Sequence, residues 1–224
     1  MTQDELIIKR FCKEYNVKLE KIDSYNWTQP GYVLNSDGRI EVLNLHDLEI
    51  KKIPEHISEL SELKILHLVA NELTSIKEIG GLTKLENLVI QANKIKNISV
   101  VEQFKNLRNF YANFNPIVDV TPLKHLENLE HLEIDTEKVN DLRQICYIPK
   151  LVNISLNVEG TTDITFLQDC KLQVFYGYNI LICFHLKLSD VATTEARFYF
   201  IVVDDSGLLF QSSNSGTFLQ LFFF

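Results

Sequence analysis

The sequence lacks the features that most often mark an enzyme or a membrane protein. It contains no Walker loop and no GxSxG, HExxH or dinucleotide-binding motif. No apolar run is long enough to span a bilayer, and the N-terminus, MTQDELIIKRF, carries charges where a signal peptide has its apolar core. We therefore expect a non-catalytic protein without a cofactor, located in the cytoplasm.

Cysteine and positive charge are also scarce. The four cysteines, Cys12, Cys146, Cys170 and Cys183, form no CxxC pair. This pattern favours reduced thiols and predicts no metal site. The net charge of -8, with no block of Lys or Arg, argues against nucleic-acid binding and against adsorption to an anionic membrane. We expect the partner to be another protein.

What the sequence does contain is one segment repeated at a nearly fixed interval. LHLVANELTSI begins at Leu66, LVIQANKIKNI begins 22 residues later, and FYANFNPIVDV begins 22 residues after that. Further copies begin at Leu43, Leu132, Ile154 and, in degenerate form, Phe175. A repeat of this length predicts a solenoid, because each unit can bury its apolar face only against its neighbours.

Written as L-x-x-L-x-L-x-x-N-x-L, the copies resemble the leucine-rich repeat family over about residues 40–182. Their continuation, I-x-x-I-x-x-L-x-x-L, is similar to the 22-residue class found in phosphatase-1 regulatory subunits and in many bacterial and archaeal proteins. The resemblance implies an α/β solenoid of about seven repeats. Its horseshoe has a parallel sheet on the concave side and short helical or irregular segments on the convex side.

The resemblance also accounts for a polar residue that recurs within the apolar pattern. Asn71, Asn93 and Asn115 each follow a short strand, where the chain of this family turns sharply. An amide side chain offers donors and an acceptor, so stacked Asn residues can pair with the buried backbone groups of successive turns. Leu48 and Glu137 interrupt the column, and we therefore expect a structural Asn ladder over the middle three repeats.

Residues 1–39 precede the repeats and predict an N-terminal cap. Residues 2–17 form an amphipathic helical pattern, whose predicted apolar stripe comprises Leu6, Ile7, Phe11 and Tyr15. Asp37 and Gly38 separate two apolar runs, which predicts a β-hairpin. We expect Trp27 to pack within this cap, because the first repeat has no neighbour on one side.

Residues 183–224 differ from both the cap and the repeats. They contain eight of the 14 Phe residues but only six charged residues. Two apolar segments separated by Gly- and Ser-rich turns predict strands with both faces apolar. This Phe-rich tail is interpreted as a C-terminal β tail or cap, and a fragment end or a misread reading frame stays an open alternative.

The strand pattern predicts which side chains face the concave side. Strand alternation buries the consensus leucines and directs their neighbours outward. Tyr111 and Phe114 then lie among amides, a composition typical of protein contact sites, and the acidic Glu133 and Asp135 follow on the next strand. A partner should offer an apolar anchor beside a basic residue. The predicted partner-binding residues are Asn87, Val89, Gln91, Asn109, Tyr111, Asn113, Phe114, His131, Glu133 and Asp135.

Two other functions stay open. The repeat class suggests a regulatory subunit of an enzyme such as a protein phosphatase. An enzyme with its site on the concave sheet would use His131 beside the carboxylates of the same strand, or His46 and His67 on adjacent strands. A strand, however, spaces alternate side chains by about 6.6 Å along a flat surface, which disfavours convergent metal ligands. Solvated surface histidines are the simpler interpretation.

The Phe-rich tail generates the first prediction. If residues 184–224 are peripheral to the repeats, a chain that ends at Cys183 will keep the far-ultraviolet circular dichroism and the single cooperative melting transition of the full chain. Thermal melts of both proteins provide the measurement. Loss of cooperativity in the shorter chain would instead identify the tail as the cap of the last repeat.

Overall fold

The computed structural model describes residues 2–157, 174–178 and 200–203. Within these residues one α-helix, α1 (Gln3–Tyr15), precedes ten strands that form a single sheet in the order of the sequence. The strands are β1 (Glu20–Lys21), β2 (Gly31–Leu34), β3 (Ile40–Asn44), β4 (Ile65–His67), β5 (Asn87–Val89), β6 (Asn109–Tyr111), β7 (His131–Asp135), β8 (Asn153–Asn157), β9 (Val174–Tyr178) and β10 (Phe200–Val203).

Helix α1 confirms the predicted N-terminal helix but corrects its buried face. Its first turn is closed by a capping box, in which Thr2 and Glu5 each accept a hydrogen bond from the other's backbone N–H. Leu6 was expected in the apolar stripe, yet it is 50% exposed, and Ile8 is buried instead. At about 100° per residue, Leu6 lies about 140° from the buried Phe11 around the helix axis, whereas Ile8 lies about 60° from it.

A buried carboxylate joins α1 to the sheet. Asp4 is fully buried and accepts a hydrogen bond of 2.8 Å from the backbone N–H of Ile40, at the start of β3. Its other contact is an ion pair with Arg39, with N–O distances of 3.0 Å. Because both partners are supplied by one short segment, Asp4 fixes the position of the helix over the first repeat, and removal of Arg39 would leave a buried charge uncompensated.

The predicted hairpin is confirmed by the antiparallel pairing of β2 with β3. Its turn places Gly38 at a φ of 75°, and the side chain of Asn35 accepts hydrogen bonds from the backbone N–H groups of Asp37 and Arg39. Strand β1, which pairs in parallel with β2, was not predicted, because two residues are too few to show an alternating pattern.

From β3 onward all the described strands run parallel, and the repeat length sets their register. Ile65 pairs with Asn87, Asn87 with Asn109, Asn109 with His131, and His131 with Asn153, each 22 residues apart in sequence. Short 3₁₀ helices occupy the returning side of the repeats, at Glu55–Glu59, Lys77–Ile79, Ser99–Gln103, Thr121–His125 and Leu142–Tyr147. A parallel sheet on one side and short helices on the other confirm the predicted solenoid architecture.

The consensus apolar residues fill the space between the sheet and the 3₁₀ helices. In the repeat that begins on β5, every consensus position is at most 1% exposed: Leu88, Ile90, Ile95, Ile98, Val101, Phe104 and Leu107. Burial of each such side chain contributes about 1.5–3 kcal/mol. The division of the chain at residues 39 and 182 stays a prediction. Strand β10 falls within the predicted tail, and the rest of that tail lies outside the described residues.

The amide of Asn93 pairs with the backbone of two successive repeats. Its Nδ2 donates to the carbonyl of Leu68 in the preceding repeat and to that of Ile90 in its own repeat, both at 2.9 Å. Its Oδ1 accepts a hydrogen bond of 3.0 Å from the backbone N–H of Leu73. Asn93 is only 7% exposed, so these backbone groups have no access to bulk water as an alternative partner.

Asn71 and Asn115 repeat this arrangement. Nδ2 of Asn71 donates to carbonyls in the preceding and its own repeat, and its Oδ1 accepts from the backbone N–H groups of Leu48 and Ile50. Nδ2 of Asn115 donates to the carbonyl of Ile90, and its Oδ1 accepts from the backbone N–H of Ile95. The three amides therefore form one continuous column of hydrogen bonds along the solenoid.

Two further features concern the cysteines and the helices. Cys12 is a free thiol, whereas Cys146 is disulfide-bonded, so the expectation of reduced thiols is wrong for Cys146. Cys170 and Cys183 lie outside the described residues. Among the residues that the structure describes, no helix has both the length and the apolar character needed to cross a membrane.

The Asn column generates a prediction about stability. Asn93→Leu should lower the free energy of unfolding by about 1–3 kcal/mol, because Leu cannot pair with the buried backbone groups that the amide serves. Urea denaturation provides the measurement. The matched control is Asn140→Leu, the same substitution at an exposed amide, which should change the value by less than about 0.5 kcal/mol. Equal effects of the two substitutions would contradict the structural role of Asn93.

Candidate protein-binding surface

The predicted partner-binding residues lie on β5, β6 and β7 or directly after β5 and β6, and they differ in accessibility. Phe114 is 65% exposed, whereas Val89 is fully buried and Asn113 is 8% exposed. The remaining seven are partly exposed: Asn87, Gln91, Asn109, Tyr111, His131, Glu133 and Asp135. The prediction that Val89 faces a partner is therefore wrong.

A segment of the N-terminal cap covers the first strands of the concave face, and we call residues 25–29 the covering segment. Asn44, at the end of β3, is fully buried and holds the segment through its Nδ2, which donates to the carbonyls of Asn26 at 2.7 Å, Gln29 at 3.0 Å and Trp27 at 3.2 Å. Sequence reasoning missed this contact, because an Asn at an outward strand position carries no signal of a backbone partner 15–18 residues earlier in the chain.

Trp27 of the covering segment lies against two strands of the sheet. Its ring centroid is 5.1 Å from that of His67 on β4 and 6.1 Å from that of Tyr111 on β6, and both contacts are nearly perpendicular. In the register of the sheet, Val89 on β5 stands between these two residues. Burial of Val89 follows from this cover. Trp27 was expected to pack within the cap, yet it also forms part of the concave face and is 48% exposed.

His67 is a buried neutral residue rather than a solvated histidine. It is 2% exposed, and burial, with a smaller contribution from His46, lowers its pKa to about 4. Its Nδ1 is 2.9 Å from Oδ1 of Asn44, a distance that fits donation of the Nδ1 proton to the amide oxygen. The interpretation of solvated histidines is wrong for His67, which instead supports the covering segment through its ring contacts with Tyr25 and Trp27.

Glu133 is a partly buried carboxylate held by neutral donors. Its Oε2 accepts hydrogen bonds from Nε2 of Gln91 at 3.1 Å and from Nδ2 of Asn113 at 3.0 Å. No Lys or Arg of the described residues forms an ion pair with it. Burial raises the pKa of Glu133, because the ionised form loses hydration without gaining a cation. Tyr111 is its register partner on β6, and burial together with Glu133 raises the pKa of the Tyr111 phenol.

The other polar residues of β7 bond to separate neighbours. Nδ1 of His131 is 2.7 Å from Nδ2 of Asn153 on β8, whereas Oδ2 of Asp135 accepts a hydrogen bond from the backbone N–H of Phe114. The three side chains of β7 thus do not converge on one point as metal ligands would. In the part of the chain that the structure describes, no group of three or more His, Cys, Asp or Glu residues is placed to hold a metal ion.

Phe114 combines high exposure with a strained backbone. Its φ is 58°, in the left-handed region, and it directly precedes the ladder residue Asn115. The equivalent residues of the two preceding repeats, Ala70 and Ala92, have φ values of 54° and 53°. A left-handed residue other than Gly costs on the order of 1–3 kcal/mol. The turn thus adopts this conformation in three successive repeats, and only in the third of them does it carry a large exposed aromatic side chain.

Solved structures with the same fold include two internalins from Listeria monocytogenes. Internalin C2 is 27% identical with a TM-score of 0.50, and the match covers 52% of this chain and 51% of that protein. The internalin InlF is also 27% identical with a TM-score of 0.50, and the match covers 62% of this chain and 47% of InlF. The chain therefore matches about half the length of these internalins. No family model and no curated protein sequence matches it.

The strained backbone of Phe114 generates a prediction. Phe114→Gly should leave the free energy of unfolding unchanged or raise it by up to about 1 kcal/mol, because Gly adopts this φ without strain and little packing is lost at an exposed side chain. Urea denaturation measures the change. Ala92→Gly, at the same φ in the preceding repeat, is the matched control and should behave alike. A loss of more than about 1 kcal/mol at Phe114 alone would show that its ring packs in the fold.

Proposed function

Because the chain has the leucine-rich repeat fold, we propose that it is a non-catalytic scaffold that binds a partner protein through the concave face of its sheet. The observation that carries this proposal is a pair of exposed aromatic side chains beside the partly buried carboxylate of Glu133. Trp27 lies over the concave face, and Phe114 follows β6 in a turn whose backbone N–H bonds to Asp135 of that face. Large exposed aromatics beside a polar rim are the composition of protein contact sites.

The energetic state of these residues supports a binding role. Phe114 holds its ring out to solvent from a strained turn, and ionised Glu133 is partly desolvated without a cation from the described residues. Neither arrangement stabilises the folded chain by itself. A partner that covers the ring and pairs with the carboxylate would gain binding free energy from both contacts. Residues that are unfavourable for folding can in this way be favourable for binding.

The proposed contact surface differs from the one predicted from sequence. It gains Trp27 and loses Val89, which is buried, while Asn113 acts indirectly by holding Glu133. The other predicted residues stay in the proposal: Asn87, Gln91, Asn109, Tyr111, Phe114, His131, Glu133 and Asp135. The covering segment restricts the surface to β5 and the strands that follow it.

The nature and location of the partner belong to the proposal as well. The alternative that this chain is a regulatory subunit stays a hypothesis based on the repeat class. In that alternative the partner protein is an enzyme such as a phosphatase. The net charge of -8 supports a protein partner over a nucleic acid or a membrane surface. The cytoplasmic location stays a prediction, against which the disulfide at Cys146 favours an oxidising compartment.

The concave face can be tested by site-specific photocrosslinking. A crosslinking amino acid at position 114 should capture a partner from an extract of the source cells, whereas the same group at Glu102, on the convex 3₁₀ helix, should not. Mass spectrometry then identifies the captured protein and decides whether it is an enzyme. Capture at both positions alike would contradict a concave site.

The captured protein then allows the surface to be measured. Phe114→Gly and Glu133→Lys should each weaken its affinity by about thirtyfold, equivalent to about 2 kcal/mol for a central contact residue, in a calorimetric titration. Glu102→Lys is the matched control and should bind like the parent. Thermal melts establish that all the variants fold. If folded Phe114→Gly and Glu133→Lys bind like the parent, recognition uses the convex side or the caps and the proposal is wrong.

A further inference from the structure

We propose that the concave face contains a binding site for an arginine side chain of the partner, formed by the carboxylate of Glu133 and the exposed surface of Trp27 beside Tyr111. This inference rests on the proposed function and names the chemistry that the partner must present. Three observations carry it. Glu133 has no ion pair with a Lys or Arg of the described residues, an aromatic pair lies next to it, and its existing hydrogen bonds all reach one carboxylate oxygen.

The lack of an ion pair among the described residues distinguishes Glu133 from several other glutamates of the repeats. The neighbouring Glu130 pairs with Arg108 at 2.7 Å, and Glu41, Glu62 and Glu72 likewise pair with lysines of the following repeat. Among the described residues, Glu133 instead receives hydrogen bonds only from amide donors. Since burial raises its pKa, ionisation of Glu133 at neutral pH opposes folding. A cation brought by the partner would relieve this penalty, so the site is complementary to positive charge.

The aromatic pair lies within reach of the same cation. Tyr111 and Glu133 are direct register partners on adjacent strands, which lie about 4.8 Å apart. Trp27 contacts Tyr111 at a centroid distance of 6.1 Å and keeps 48% of its surface exposed. A cation within about 6 Å of an indole or phenol ring is attracted by the ring quadrupole. One side chain can therefore contact the rings and the carboxylate together.

The bonding of the carboxylate favours arginine over lysine. Gln91 and Asn113 both donate to Oε2 of Glu133, and Oε1 receives no hydrogen bond from the described residues. A guanidinium is planar, stacks on aromatic rings and carries five donors in a fixed fork, so it can bond to Oε1 while it lies against Trp27. An ammonium group is a strongly hydrated point charge and gains less from the rings.

Trp27 provides the signal for a direct test, because it is the only tryptophan of the chain. The probes are three acetylated and amidated peptides of identical length, Gly-Arg-Gly, Gly-Lys-Gly and Gly-citrulline-Gly, titrated against the full-length protein. The arginine peptide should change the Trp27 emission saturably. The citrulline peptide, which has nearly the same shape without the charge, should bind at least about tenfold more weakly, as expected for loss of a charge-assisted hydrogen bond.

Glu133→Gln tests the carboxylate with little change of shape. It should abolish the preference for arginine over citrulline while its melting temperature stays equal to or above that of the parent. Glu130→Gln is the matched control, which should keep the preference. In the parent the arginine response should be present above the raised pKa of Glu133 and be lost as the pH falls through it, because the protonated carboxyl carries no charge.

Each result decides the inference. It is overturned if arginine gives no saturable response, if citrulline or lysine binds as tightly as arginine, or if Glu133→Gln keeps the preference. Failure here is distinguishable from failure of the proposed function. If the captured partner loses affinity for Phe114→Gly while the arginine peptide gives no response, the proposed concave binding surface is supported and the arginine site is contradicted. If the peptide binds as described but the partner ignores both concave variants, the proposed function falls.

Discussion

The structure depends on one constraint, which is that the chain must reverse direction inside an apolar core after every strand. A reversal exposes backbone N–H and C=O groups that neither the sheet nor water can reach. The Asn side chain meets this need because one short amide carries two donors and one acceptor. Since each amide also bonds to the preceding repeat, the reversal of one repeat is tied to that of the next, and the same contacts that satisfy the turn also fix the register of the sheet.

Local repetition explains how much of the fold could be predicted from the sequence. The positions of the strands, the buried leucines and the Asn column all follow from a 22-residue period, because each depends only on adjacent repeats. The covering segment could not be predicted in this way. In this segment three backbone carbonyls accept hydrogen bonds from Asn44 at the end of β3, and Trp27 contacts Tyr111, which lies 84 residues later. No periodic pattern encodes such pairs.

The candidate site shows the same limit at the scale of single residues. Phe114 lies beyond the end of β6, so alternation does not account for its exposure. Alternation did assign Tyr111 and Glu133 to the open face, where both are partly exposed, because strand geometry decides the direction of side chains within a strand. It failed at Val89 and His67, which alternate outward but lie beneath the cap. It also could not reveal that no Lys or Arg of the described residues would pair with Glu133, since the distance of each cation from Glu133 depends on the folded surface. The direction in which a strand side chain points thus follows from local sequence. Whether that side chain is buried on the concave face depends on tertiary contacts.

The covering segment also has a consequence for the order of folding. Residues 25–29 precede every strand that they contact, yet the surface for Trp27 exists only when β4 and β6 have formed. During synthesis the loop therefore leaves the ribosome long before its binding site does. Closing so long a separation carries an entropic penalty that only the assembled sheet can offset. The covering segment must therefore pack on the sheet late in folding. Until about half of the chain has been made, the concave face of the first strands stays uncovered in the cell.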